Sequence, residues 1–378
     1  MRLSPWAVVP RRRRDRRLPT IAALAALALL AGCVAPPAST ATTPEPQAPP
    51  ERWPVRVREH VDLWLHGFAM MQRDSAQVPF FERGYAERYQ ALKNSANILT
   101  VLETERERLE PALATNPAMI NAQFLPLYFA TWDDMARSID LALEVEGDAR
   151  RVPDEVMSRA VRVVAAYFPM AADREWLRIY MRGLRDERDR FWLSWWTRRQ
   201  QELAPVMARV DSLWQNDYRP KLQGFLNNTQ QPNGDFLLSL PLDGEGRTLG
   251  STSGIRVNAI TVGFPASEAS ALEAIYVFAH EAVATVTTVA VEDNITPTER
   301  RQGLAAQLSG SALVRGGAML LERTAPELAD GYARYYLEAA GLPVPERNAQ
   351  AALAAAFPLP QAVAEALARQ IDLVLRGI

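Results

Sequence analysis

The chain has 378 residues, of which 48% are hydrophobic and 23% charged, with a formal net charge of −2 at pH 7. That length and apolar share can bury one large core or two ordinary ones, which excludes an intrinsically disordered chain. The near balance of charge excludes a nucleic-acid binder working through a basic surface, and the single cysteine excludes a disulfide scaffold.

Residues 1–32 carry seven arginines and one aspartate, and an apolar run from Leu18 closes on Leu30-Ala31-Gly32-Cys33. A basic start, about 15 apolar residues and a small-residue exit are the parts of a secretory signal. The run is shorter than the roughly 20 residues that span a bilayer as a helix. An ordinary cleaved signal and an uncleaved anchor share these parts. The ending resembles the lipobox of bacterial lipoproteins, whose small residues let the signal peptidase reach the bond before the cysteine. This resemblance implies cleavage after Gly32, diacylation of the Cys33 thiol with palmitate-like chains, and acylation of the new amine. Two or three chains anchor stably where one is marginal. By resemblance to Gram-negative lipoproteins, Val34 in place of an aspartate implies outer-membrane delivery, facing the periplasm. Without residues 1–32 the chain holds 35 basic and 43 acidic residues, a net −8. The expected partners are then the bilayer, through acylated Cys33, and a peptide or envelope protein, with no nucleic acid.

Residues 33–54 read as the lipidated cysteine and a tether, because seven prolines stand among Ala, Thr, Ser and Gln with almost nothing apolar to bury. Residues 55–226 read as a helical region. Apolar stripes recur around Leu63 and Phe68, Val101 and Leu109, Met135 and Ile139, and Val161 and Val164. A long charged helical stretch over residues 181–218 is expected to break at Pro205. Its Arg182, Arg185, Arg188, Arg190, Arg198 and Arg199 alternate with acids, the pattern of a solvated, ion-paired face. Trp192, Trp195 and Trp196 share a helix face and are expected in the core rather than on a sugar-binding platform.

Residues 227–378 read as a small sheet followed by helices. A turn-rich break over residues 227–234 precedes two short apolar runs, 236–240 and 255–262, which predict a hairpin with a long Gly-rich loop. Ser270 and Glu273 predict a capping box that opens a helix running to about Val291. Further helices are expected over residues 297–307, 311–323, 326–340, 345–357 and 361–376. Gly316-Gly317 reads as a helix-packing or kink position, since no phosphate-loop pattern surrounds it. Ser251, Ser253 and Ser311 lack the context of a nucleophilic serine. The fold class expected is mainly α with a small β-sheet (α+β).

The segment that carries chemistry is Phe278-Ala279-His280-Glu281-Ala282-Val283-Ala284. A helix bearing His-Glu behind a strand pair resembles the zincin metallopeptidases, and the order of helices, sheet, His-Glu helix and more helices is similar to their gluzincin-like group. The resemblance implies a zincin-like helical ectodomain with zinc as cofactor, His280 as first ligand and catalytic residue, and Glu281 as the base that polarises a bound water. The second ligand of that motif belongs at position 284, which is Ala284, and a methyl group cannot coordinate a metal. A third ligand on a later helix falls on Glu322, with Glu292 and Asp293 as nearer alternatives. The sequence therefore reads as a divergent or inactive metallopeptidase homologue; a helical binding or scaffold lipoprotein unrelated to peptidases is the other reading. In the second case His280 joins Glu273 and Tyr276 in a structural polar cluster on one helix face. His60 and His66, six residues apart and off a common face, are expected at the surface or its boundary rather than on a metal.

Overall fold

The computed structural model describes residues 52–73, 76–250 and 258–378. The signal, Cys33 and the tether as far as Glu51 lie outside the described residues, as do Ser251, Ser253 and the start of the second expected strand. The body already buries Trp53 and Pro54, so the tether read from composition gives way to packed structure two residues early.

A small sheet divides two helical layers. Its strands are β1 (Val55–Arg56), β2 (Asp235–Ser239), β3 (Arg247–Leu249) and β4 (Ala259–Gly263), in the order β1-β2-β4-β3. Two short apolar runs were expected to form a hairpin; instead β2 and β4 are parallel, with Phe236 opposite Ile260. Parallel neighbours need a crossover of about a dozen residues or more, and the connection between β2 and β4 is long enough. It also supplies β3, which adds antiparallel to the outer side of β4. Near-continuous burial of β2 and β4 suits parallel strands covered on both faces. Strand alternation sorts the side chains: Phe236, Leu238, Ile260 and Val262 join one hydrophobic core, while Leu237, Leu249 and Ala259 join the other.

The second of these cores is built by the N-terminal helices around Glu59–Met71, a helix buried at every position from His60 to Met71. His60 and His66 are thus core residues, not boundary ones. His60 Nε2 lies 3.2 Å from the Pro126 carbonyl and 3.1 Å from that of Phe129, and His66 sits between Tyr85 and Glu187. A continuous helical run then passes from this core to the other: Ala171–Glu187, a π turn at Arg188–Trp192, Leu193–Leu213, a second π turn at Trp214–Tyr218, and Arg219–Asn228. Pro205 does not break it. The carbonyl that Pro205 leaves without a donor is that of Gln201, on an exposed turn where water can serve it. Trp192 is fully buried and Trp195 and Trp196 pack half-buried against the core, as their shared face predicts.

The first core is centred on the His-Glu helix, Leu272–Ala282, and on Leu304–Thr324, which lies against it. The stretch Glu268–Glu292 is long and apolar enough to cross a membrane, yet 78% of its most apolar window is buried inside the body, the mark of a core helix. Its entry uses Ser267, whose backbone N–H donates to Ser270 Oγ at 3.1 Å, rather than the expected pair of Ser270 and Glu273. Val283, at φ −81° and ψ −3°, separates the His-Glu helix from Ala284–Glu292.

Candidate metal and latch site

Residues 243–249, in the connection from β2 to β4, lie over the His-Glu helix as a strap and are tied down almost one by one. Tyr336 donates its hydroxyl to the Gly244 carbonyl at 3.1 Å. His280 Nε2 meets Glu245 Oε2 at 3.1 Å. The Gly246 N–H donates to Glu281 Oε1 at 3.0 Å, and Thr248 Oγ1 donates to Glu281 Oε2 at 2.7 Å. Arg247 donates from Nε to Gln123 Oε1 at 2.7 Å, and its guanidinium lies 4.5 Å from the centre of the Phe80 ring. Gly246 is required by space: a Cβ there would stand 2.6 Å from both Glu281 Cγ and the Thr261 carbonyl oxygen.

Beneath the strap, His280 has no exposed surface, and its ring stacks on Tyr336 at 5.0 Å. Gly317 lets the Leu304–Thr324 helix come close, since a Cβ there would lie 3.1 Å from His280 Cα. Burial works against charging His280, but the Glu245 carboxylate, by charge and hydrogen bond, and the Glu281 charge outweigh it, so its pKa stands above the usual value. Burial is also the largest influence on Glu281; with the Glu245 charge it outweighs His280, Thr248 and Arg247 and raises that carboxyl. His280 and Glu281 therefore each hold a proton more firmly than the isolated side chain would.

The structure brings His280 and Glu281 together with Glu245, each offering a ligand atom within 4.8 Å of the others. It does not bring in Glu322, which is exposed. Glu322 lies five residues beyond Gly317, well off the face that this glycine turns to His280. Asp293 is exposed, and Glu292 pairs with Arg300 at 2.6 Å. Ala284 is half-buried beyond the turn at Val283. The ligand set of the gluzincin pattern, His280 with position 284 and a later glutamate, thus does not fit a zinc ion here. The polar cluster of Glu273, Tyr276 and His280 does not form either. Glu273 instead borders a small cleft with Asp243, Val277 and Tyr335, one to two turns before His280 on the helix. Burial chiefly raises the Glu273 pKa there, helped by the charges of Asp243 and Glu338.

Glu245 was invisible to sequence reasoning, because it sits 35 residues before His280 in a Gly-rich connection with no motif of its own. A second buried cluster was equally silent. Lys93 donates to Glu187 at 2.6 Å and to Thr100 at 3.1 Å and pairs with Glu103, while His66 reaches Glu187 at 3.2 Å. Comparison of the chain with protein-family models, with curated proteins and with solved structures found no match.

Proposed function

We propose that this is an envelope lipoprotein, held at the outer membrane through acylated Cys33, whose zincin-like ectodomain is a divergent metallopeptidase homologue that has lost peptidase chemistry and binds a peptide or envelope protein instead. The observation that carries the reading is the state of Glu281. A general base must face a cleft where substrate and water can meet, yet the strap covers Glu281, with Gly246 and Thr248 donating to its two oxygens. His280 is closed from solvent and committed to Glu245, and Ala284 offers no second imidazole. A His-Glu pair inherited for metal chemistry serves in this reading as a latch between helix and strap. The break at Val283 favours a second reading, a helical scaffold lipoprotein without peptidase ancestry, because a His-Glu-x-x-His motif needs an unbroken helix to put both imidazoles on one face.

The parent protein should cleave no peptide, and Glu281→Ala should lower its melting temperature, since losing a buried acceptor costs about 1–3 kcal/mol for each donor left unpaired. Glu281→Gln keeps an acceptor for Gly246 and a group for Thr248, so it should melt close to the parent. A parent that cleaves peptides, with activity abolished in Glu281→Gln at unchanged melting temperature, would establish a working peptidase and end the latch reading.

A further inference from the structure

We propose that Glu245, His280 and Glu281 form a divalent transition-metal site, with zinc as the fitting ion, that fastens the strap to the His-Glu helix. Glu245 supplies in this site what the alanine at 284 does not. The inference stands on the geometry of the three groups and does not depend on descent from a peptidase.

His280 Nε2 lies 3.1 Å from Glu245 Oε2 and 3.8 Å from Glu281 Oε1, and the three ligand atoms all fall within 4.8 Å of one another. Ligands about 2.1 Å from a tetrahedral zinc stand roughly 3.4 Å apart, a spacing that the two distances from His280 bracket. The donor types narrow the ion. An imidazole with two carboxylates suits zinc and its transition-metal neighbours, whereas magnesium and calcium prefer oxygen alone. The surroundings are those of a prepared ligand: Gly246 and Thr248 each take one lone pair of a Glu281 oxygen and leave the other free. Two carboxylates pressed together under a strap also favour a cation between them, a place that a proton on His280 can take when no metal is bound. Coordination by Glu245 and Glu281 commits both carboxylates beside His280, leaving neither as a base. The ion therefore holds the strap and does not drive hydrolysis.

The test uses the full-length protein in detergent, stripped with a chelator and titrated with zinc chloride against a chromophoric competitor, with melting followed in parallel. A single tight zinc per chain and a higher melting temperature are expected. Glu245→Gln should keep the metal-free melting temperature within a few degrees, because the amide oxygen can still accept from His280, while zinc affinity falls by more than about a hundredfold, beyond what loss of a merely orienting residue causes. His280→Gln should lose zinc as well. Absence of a single tight zinc in the parent, or zinc held equally well by both variants, would overturn the site. Peptide cleavage, assayed on the same zinc-loaded protein, bears separately on the proposed function: zinc-dependent cleavage sinks the inactive reading and leaves the site standing.

Discussion

His66, Lys93 and Glu187 have no exposed surface, and each depends on partners far away in sequence. Burial raises the Glu187 pKa most, but His66 and Lys93 together outweigh it and bring the carboxyl down from 4.5 to about 2. Its contribution to stability is therefore full above pH 4.5 and lost as the pH falls toward 2. His60 adds to this: burial above all lowers its pKa from 6.5 to about 4, so protonation favours unfolding across that interval. Asp62 runs the other way. Burial carries it from 3.8 to about 7 despite bonds from Ser239, Trp196 and Leu240, and its share is lost as the pH rises through that range. Denaturant unfolding measured from pH 7 down to 3 should show Asp62 and His60 opposing each other above pH 4.5 and stability falling below it, where Glu187 takes up its proton. Glu187→Gln, which leaves Lys93 with less counter-charge in a dry site, should cost about 3–5 kcal/mol at pH 7 and flatten the acid limb. A variant as stable as the parent would mean that Glu103 alone satisfies Lys93. None of this was legible in the sequence, because a histidine on an apolar helix looks the same whether or not a glutamate 121 residues away comes to meet it.

At the scale of elements, period and composition were good guides to the helices and poor guides to pairing. The stripes through Met135 and Ile139, and through Val161 and Val164, lie on helices Trp132–Glu144 and Glu155–Tyr167 with those residues buried, as a 3.6-residue period requires. The two apolar runs after residue 234 are strands, but their parallel pairing depends on the path of the connection between them, and that path answers to the His-Glu helix rather than to local propensity. Gly316-Gly317 was legible as a packing position. Alanine at 317 would ordinarily favour a helix by about 0.5–1 kcal/mol. Here its methyl would run into the Tyr332 hydroxyl and stand 3.1 Å from His280 Cα. Gly317→Ala should therefore lower stability, by about 1–3 kcal/mol as overpacked cores do, and a higher melting temperature would mean that the two helices are less closely held.

For the whole molecule, the proposed destination rests on contiguous sequence and the proposed site does not. The basic start, the apolar run and Leu30-Ala31-Gly32-Cys33, on which the proposed signal rests, are contiguous, whereas the cluster under the strap is assembled from residues in separate elements. With Cys33 acylated, the protein should partition into the detergent phase and migrate at the processed size. Cys33→Ser should instead leave a larger precursor or a soluble form. Unchanged partition and size in that variant would remove the lipid anchor, and with it the envelope assignment.

Trp53 gives the point of entry into the body a mechanical meaning. It holds a positive φ of 55°, a strained conformation for a bulky residue, with its indole fully buried. Its Nε1 donates to the Gln231 carbonyl at 3.0 Å, and its own carbonyl accepts from Trp214 at 2.8 Å and Gln215 at 3.2 Å. Two residues on, β1 pairs alongside β2. Any pull arriving along the preceding chain meets the buried tryptophan and these bonds before it meets the pairing of β1 with β2. The chain enters its fold as a rope passes through a cleat.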